Sequence, residues 1–180
     1  MLFIVRILLF LAFLFPFTPI WGTMVLPLNL KQMTKQAEKI FVGRCQESAV
    51  ELDENGIPAT YVRFQVLQPL KGVSEGETVL IKQYGVLKEP LQVREGEKAI
   101  VPLKSISLSP KGYRPGEEYL LFFYPESILG FTSPVGAGQG KFEVLTDKQG
   151  LKVVQNPASY RLPVKFDRMI ETVQKLVVHE

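Results

Sequence analysis

Alternating apolar and polar residues predict antiparallel β-strands along most of the chain. In the segment 59–70, Val62, Phe64 and Val66 form one alternating set and more polar residues form the other. A strand places successive side chains on opposite faces, so a period of two is typical of a half-buried antiparallel strand. Strand-like patterns predict further strands at 39–52, 78–84, 118–124, 141–146 and 151–154.

The segment 118–124 differs from the other predicted strands because it is apolar on both faces. Its sequence, EYLLFFY, leaves no polar side to face water. A short apolar run of this kind is consistent with a strand covered on both sides. We therefore expect it to be the most buried strand of the protein.

Turn-forming residues separate the predicted strands. Asn55-Gly56 lies between the first two strands, and Asn-Gly between strand-like runs is a strong signal for a hairpin. Two stretches rich in Pro and Gly, 86–117 and 130–140, are less regular. We expect long connections there, the first of them carrying one or two short strands.

A short helix is predicted before the first strand. Asn29 is a typical N-cap residue, and Gln32 follows three residues later, as a capping box requires. Leu28 and Met33 occupy the positions of a hydrophobic staple. These signals predict a helix over 30–38.

A second helix is predicted over 163–178. Pro163 suits a first helical turn, and Glu171 with Lys175 forms a correctly oriented i, i+4 pair. The polar face carries charges of both signs, whereas helices that lie on membranes are rich in Lys and Arg. We therefore expect the helix to dock on the β-structure. Its apolar stripe consists of Phe166, Met169, Ile170, Val173 and Val177.

These elements together predict a mainly β fold. Five to six antiparallel strands with short turns favour a small closed antiparallel OB-like β-barrel. The short N-terminal helix and the amphipathic C-terminal helix would flank this barrel.

The first 22 residues have the pattern of a secretory signal peptide. Arg6 precedes an uncharged run over 7–15, and prolines and small residues follow up to Gly22. The alternative is a retained N-terminal membrane anchor, since 2–21 has about the 20 residues that a span needs. The interpretation that we favour is cleavage after Gly22, export to the periplasm or the medium, and a single domain over 23–180.

Composition narrows the chemistry that the chain can perform. Its 180 residues include one Cys and one His. One Cys excludes an internal disulfide, a Cys-rich zinc site and a CxxC redox pair, and one His argues against a histidine zinc cluster or a Ser-His device. The formal net charge is +3, and it falls to +2 when Arg6 leaves with the signal peptide. This small charge disfavours a nucleic-acid partner.

Cys45 is an odd cysteine in a protein that we expect to be exported. It shares one alternating set with Phe41 and Gly43. Free Cys is among the most buried residue types, so this position predicts a buried strand residue. The alternative is a reactive thiol or an intermolecular disulfide.

Four stretches of the chain resemble the netrin-like module. They are AEKIFVGRC, YVRFQVLQPLKG, GEEYLLFF and GQGKF, in the same order of elements and with a terminal amphipathic helix. This module is the OB-type β-barrel shared with tissue inhibitors of metalloproteinases, and the likeness is closest to uncharacterised exported bacterial proteins. The resemblance covers roughly 28–178 and implies the barrel fold.

The chain departs from the metalloproteinase inhibitors at the residue that matters for inhibition. Those inhibitors chelate the target's zinc through a cysteine at the mature N-terminus. Here no Cys lies near residue 23, and the disulfide framework is missing. The inhibitory mechanism therefore transfers to no residue of this sequence.

Motifs for other chemistry are weak. The segment 136–140 is rich in Gly, but a phosphate loop opens a helix, and here a strand-like run follows. Acidic pairs such as Glu117-Glu118 lie beside turn glycines, where carboxylates are normally solvated. Neither SxxK nor GxSxG occurs. We therefore predict no catalytic constellation, no metal and no cofactor.

The sequence predicts an exported, non-enzymatic binding protein that contacts another extracytoplasmic protein. Binding residues concentrate in loops on rigid scaffolds, so we expect the two irregular segments to form the contact surface. A protease inhibitor that does not chelate zinc and an extracytoplasmic enzyme are the alternatives. With the signal peptide removed, no stable membrane span is expected. The candidate partner contacts are Tyr113, Arg114, Phe131 and Gln139.

Overall fold

The computed structural model describes residues 26–85, 112–157 and 162–179. They form a mainly β structure: one antiparallel sheet with the strand order β3-β2-β1-β4-β5-β6-β7, and two helices. The elements in chain order are α1 (Leu30–Gln36), β1 (Lys39–Leu52), β2 (Pro58–Lys71), β3 (Thr78–Tyr84), β4 (Glu118–Phe123), β5 (Lys141–Thr146), β6 (Lys152–Gln155), β7 (Val164–Lys165) and α2 (Phe166–Val178).

The mainly β fold class is confirmed, but the strand count is higher than expected. The sheet has seven strands instead of five to six, and its ladders form an open sheet, not a closed one. The additional strand is β7, whose two residues pair with Val153 and Val154 of β6. Because these residues are extended, the C-terminal helix begins at Phe166 and not at Pro163.

β1 is an interior strand of the sheet, between β2 and β4, and forms the longest ladder. It pairs with β2 from Ile40 opposite Lys71 to Leu52 opposite Pro58. Its other edge pairs with β4, from Lys39 opposite Phe123 to Arg44 opposite Glu118. Since β1 has 14 residues and β4 has 6, the second half of β1 extends beyond β4.

The two faces of the sheet bury separate groups of apolar side chains. The group on one face, called here the inner core, comes from β1–β4 and from Tyr113. The group on the other face, called here the outer core, includes residues of α1 and α2, so the helices cover that face. The inner core consists of Phe41, Cys45, Val62, Phe64, Val66, Val79, Ile81, Tyr113, Tyr119, Leu121 and Phe123. The outer core consists of Met33, Ala37, Ile40, Val42, Leu120, Phe122, Val135, Val154, Ile170 and Val173.

Residues 131–135, called here the strap, connect the end of β4 with β3. Phe131 forms an isolated parallel bridge with Lys82 of β3, and Pro134 forms an antiparallel bridge with Phe123 of β4. The backbone N–H of Thr132 donates to the Lys82 carbonyl at 2.9 Å. The strap therefore links two strands that are separated by β1 and β2 in the sheet.

The predicted capping box begins α1. The Asn29 carboxamide oxygen accepts from the Gln32 N–H at 2.9 Å, and the Gln32 side chain accepts from the Asn29 N–H at 2.9 Å. The helix ends at Gln36 and not at residue 38, because Ala37 is already extended (φ −79°, ψ 136°). This early end gives the chain an extended lead into β1.

Two predictions concern parts of the chain outside the described residues. The signal segment 1–22 lies outside them, as does most of the irregular segment 86–117. Within the described ranges, no helix has the length and apolarity needed to cross a membrane.

Candidate functional site

A cleft of about 530 Å³ opens where β4 and β5 separate. The β4–β5 ladder ends at Tyr119 opposite Glu143, but both strands continue beyond it. Residues of β4 and the preceding turn line one side, and residues of β5 line the other. We call this site the polar cleft. It is lined by Arg44, Gly116, Glu117, Glu118, Glu143, Val144, Leu145, Thr146 and Lys152.

Glu118 is the most strongly paired carboxylate of the polar cleft. Arg44 Nη2 lies 2.8 Å from Glu118 Oε1, and Lys152 Nζ lies 3.0 Å from Glu118 Oε2. The Arg44 guanidinium, with a smaller contribution from Lys152, holds the pKa of Glu118 below its usual value. The three side chains come from β4, β1 and β6, so this ion-pair network ties three strands together.

A hydrogen bond and an ion pair position the Glu117 side chain immediately before β4. Its Oε2 accepts a hydrogen bond from the Tyr119 hydroxyl at 2.8 Å, and Arg114 Nη1 lies 3.0 Å from its Oε1. The Tyr119 hydroxyl in turn accepts from the Arg114 N–H at 3.0 Å. Both oxygens of Glu117 therefore have partners.

Glu143 is the carboxylate of the polar cleft whose charge is least well paired. Its Oε1 is buried, and among the described residues no donor makes a hydrogen bond to it. A buried polar atom of this kind carries a desolvation cost that a hydrogen bond would remove. A donor that reached this carboxylate from the cleft would remove that cost.

Lys141 lies beneath the cleft, almost completely buried. Its ammonium group donates to the Gly112 carbonyl at 3.0 Å and lies 4.2 Å from the ring centre of Tyr113 and 5.1 Å from that of Tyr119. Burial lowers the pKa of Lys141 to about 8, although Glu143 and Glu117 act in the opposite direction. The aromatic rings supply cation–π contacts in place of water.

Cys45 is a buried strand residue, as the alternation predicts. It is 1% exposed, and its thiol contacts the Glu47 carbonyl at 3.6 Å. Burial raises the pKa of the Cys45 thiol, and a thiol with a raised pKa is a poor nucleophile near neutral pH.

The lowered pKa of Glu118 limits its chemistry near neutral pH. Glu118 is ionised and engaged by two cations, which leaves no proton for general acid catalysis. Within the ranges 26–85, 112–157 and 162–179, no group of three or more His, Cys, Asp or Glu side chains is arranged to hold a metal ion.

The four predicted contact residues lie in different environments. Tyr113 and Phe131 are buried, 6% and 4% exposed, whereas Arg114 is exposed and pairs with Glu117. Gln139 accepts from the Leu28 N–H at 2.8 Å and donates to the Leu26 carbonyl at 3.0 Å. Tyr113 and Arg114 adjoin the polar cleft, but Phe131 contacts Tyr84 and Lys82 of β3 instead. Their role in partner binding stays a prediction.

The glycine-rich segment 136–140 is a turn, as its sequence predicts. Gly136 and Gly138 have positive φ values of 67° and 95°, which glycine adopts without strain. At Gly140 a Cβ atom would lie 2.8 Å from the Phe122 carbonyl oxygen, so a side chain would not fit there. The segment thus packs tightly against β4 and leads directly into β5.

The expectation that Glu117 and Glu118 are solvated carboxylates beside a turn is wrong for Glu118, whose side chain is 17% exposed and paired with two cations. Arg44, Glu143 and Lys152 lie on three other strands and are far from this pair in the sequence. The register of the β1–β4 and β5–β6 ladders brings them together, and no local pattern carries that information.

Comparison of the chain with protein-family models, with curated proteins and with solved structures gave no match.

Proposed function

We propose that the protein is an exported, non-enzymatic binding protein that contacts an extracytoplasmic protein partner through the polar cleft. The observation that carries this proposal is the arrangement of Glu118, which two cations hold at an open cleft of about 530 Å³. Ligand sites typically have volumes of about 300–1,000 Å³ and a few fixed polar groups. Paired side chains lose little freedom on binding, so the cleft is organised before a partner arrives.

The proposed architecture is a netrin-like OB-type barrel. The resemblance in sequence supports it, and so does the strap, which runs from the end of β4 to β3 through the bridges of Phe131 and Pro134. The strap links β4 back to β3, and the inner core comes from the four strands β1–β4 and from Tyr113. In a barrel of this type, loops and strand ends at the rim carry the binding residues.

Export is proposed from the segment 1–22. Intact mass measurement of the full-length chain expressed in a bacterium tests it. A periplasmic or secreted product that begins after Gly22 would support cleavage. A membrane-bound product with the full mass would contradict cleavage and favour the N-terminal anchor.

Site-specific photo-crosslinking of the full-length chain in cells tests the proposed cleft. A photoreactive amino acid at Leu145, an exposed residue of the cleft, should give a discrete protein adduct. The matched control is Leu52 at the C-terminal end of β1, outside the cleft. Its side chain is 43% exposed, against 40% for Leu145. Arg44→Glu should abolish the Leu145 adduct, because it reverses the charge beside Glu118.

Two results would contradict a binding function in the cleft. One is an adduct pattern that is the same from Leu145 and Leu52. The other is a Leu145 adduct that persists unchanged in Arg44→Glu, provided that the variant keeps the wild-type circular dichroism spectrum.

A further inference from the structure

We infer that the polar cleft binds an extended peptide segment, which adds to the edge of β5 as a further strand and places a Lys or Arg side chain on Glu143. This inference rests on the proposed function and specifies the chemistry of the partner. Peptides that add a strand to a sheet edge bind through main-chain hydrogen bonds, and alternate side chains supply specificity.

The edge of β5 becomes accessible because its two ladders end at different places. On the β4 side the ladder ends at Tyr119 opposite Glu143. On the β6 side it continues for three more pairs, to Thr146 opposite Lys152. Residues 144–146 are therefore held extended by β6, while among the described residues none pairs with their other edge.

The main-chain polar groups of this edge point into the cleft. The Phe122 N–H donates to the Gly140 carbonyl at 2.9 Å, so Gly140 directs its polar groups toward β4. In an extended strand every second residue directs them to the same side, and Val144 and Thr146 are in phase with Gly140. Both residues line the cleft.

The main-chain polar groups at the start of β4, on the other side of the cleft, can be assigned a direction in the same way. The Cys45 N–H donates to the Glu117 carbonyl at 2.9 Å, so Glu117 directs its polar groups toward β1. Its neighbour Glu118 is out of phase by one residue and directs its groups away from β1, into the cleft. An entering strand thus meets main-chain groups on both sides.

The β5 edge lacks the features that usually prevent strand addition. Proteins protect exposed edges with charged residues, with proline or with bulges. Residues 144–146 are Val, Leu and Thr, and Leu145 is 40% exposed. This stretch has high β-propensity and no charge, so it favours an added strand.

Glu143 gives the added strand a preference for a basic residue. The other two glutamates of the cleft are already engaged, Glu118 by Arg44 and Lys152 and Glu117 by Arg114. Glu143 Oε1 is buried without a hydrogen bond among the described residues. Glu143 and Leu145 project from the same face of β5, so a residue opposite Leu145 in the added strand is a diagonal neighbour of Glu143. A Lys or Arg at that position is long enough to reach the Glu143 carboxylate.

A displayed library of random eight-residue peptides, selected on the full-length protein, tests the inference. We expect the enriched peptides to combine alternating β-branched or aromatic residues with a Lys or Arg. An enriched peptide should bind Glu143→Gln about tenfold more weakly, the loss expected for one charge-assisted hydrogen bond. The matched control Glu51→Gln changes an exposed glutamate of β1, about 23 Å along the strand from Arg44, and should bind within twofold of wild type.

Two measurements identify strand addition itself. N-methylation of alternate amides of the peptide should abolish binding in one of the two possible phases and spare it in the other. Bound peptide should also slow hydrogen exchange of the amides in 144–146 and leave those of 61–66 unchanged.

Three results would overturn the inference. They are selection without enrichment, binding that tolerates N-methylation in both phases, and binding that is equal for wild type and Glu143→Gln. If any of them occurs while the Leu145 photo-adduct remains, strand addition is wrong and the proposed cleft function survives. If the photo-adduct is also absent, the proposed function fails as well.

Discussion

Lys141 holds its ammonium group among aromatic rings and a backbone carbonyl instead of in water. The charged and polar groups that act on it are Glu143, Glu117, Arg114 and Cys45, and the rings belong to Tyr113 and Tyr119. Burial of the charge lowers its pKa, so the folded protein releases this proton more readily than the unfolded chain does.

The pH dependence of stability should show the lowered pKa of Lys141. Its pKa is about 8 in the folded protein and about 10.4 in an unfolded chain, so between these values the unfolded state binds more protons. The free energy of unfolding of the wild type should therefore rise relative to Lys141→Met by up to about 3 kcal/mol from pH 8 to pH 10.4. Chemical denaturation of both proteins at several pH values measures the difference.

The comparison with Lys141→Met removes the contributions of the other titrating groups. Burial raises the pKa of Cys45, Tyr113 and Tyr119, and these groups lower the stability of both proteins as pH increases above their unfolded values. Parallel stability curves for wild type and variant over this pH range would show that Lys141 is not desolvated.

Cys45 should be unreactive in the native protein. The thiol is buried and its pKa is raised, while alkylation requires an accessible thiolate. We expect iodoacetamide at pH 8 to modify native Cys45 about 100-fold more slowly than the chain in guanidinium chloride. Mass spectrometry of timed samples measures both rates, and equal rates would place the thiol at the surface.

Residue-level prediction from the sequence worked where local chemistry decides the outcome. The alternation around Cys45 predicts its burial, and Asn29 with Gln32 predicts the capping box; both are confirmed. The environment of Lys141 was not predicted. Its position in a strand shows which face its side chain joins, but not which rings surround it. Tyr119 comes close through the β4–β5 ladder, and Tyr113 lies in the irregular stretch before β4.

Two hairpins of the sheet use the same five-residue loop. The sequences DENGI and DKQGL each begin with an Asp, at positions 53 and 147. Each Asp Oδ1 accepts two backbone N–H bonds, at 2.9 and 2.7 Å in the first loop and at 2.8 and 2.9 Å in the second. The glycine at the fourth position has positive φ in both, 72° at Gly56 and 80° at Gly150.

Asp147→Ala should weaken the β5–β6 hairpin. The change removes both side-chain hydrogen bonds that shape the loop, and we expect the free energy of unfolding to fall by about 1 kcal/mol. Urea denaturation measures the loss. Lys148→Ala, an exposed position of the same loop, is the control and should change stability by less than about 0.5 kcal/mol. Equal effects of the two changes would contradict this role of Asp147.

The bounds of the individual strands were predicted better than the number of strands or the closure of the sheet. β1, β3 and β5 have the bounds that the sequence pattern predicts, because a period of two and flanking turn residues are local signals. β7 was missed because two residues are too few to show a period, and because Pro163 suits a helix start equally well. The cleft was missed for a related reason, since it depends on where one ladder ends and the next continues.

The strap makes β3, at one edge of the sheet, and β4, in its middle, depend on one another. Phe131 stacks on Tyr84 with ring centres 4.1 Å apart, and Lys82 Nζ lies 4.3 Å from the centre of the Phe131 ring. Both partners belong to β3, whereas the strap follows β4 in the chain. Packing at Phe131 therefore couples two strands that do not pair.

Phe131→Ala should lower the stability of the whole molecule. Removal of a buried phenylalanine side chain costs about 3 kcal/mol, and here it also removes the contact between strap and β3. Thermal and urea denaturation should both show the loss. Ile128→Ala is the matched control, because Ile128 lies in the same connection and is fully exposed. A Phe131→Ala protein as stable as Ile128→Ala would show that the strap is not part of the folded core.

The position of β1 between β2 and β4 has a consequence for how the molecule assembles. β1 meets β2 through a tight loop, which is a local event, but its pairs with β4 join residues 74 to 84 positions apart in the sequence. Contacts that are distant in the sequence slow folding, so the docking of β4 on the β1–β2 hairpin should limit the folding rate. A newly made chain should therefore hold the β1–β2 hairpin before its C-terminal half has joined the sheet, and during that interval the edge of β1 that later pairs with β4 is unpaired. An unpaired strand edge is a template for pairing with another chain, so this interval is when the chain is most prone to aggregate.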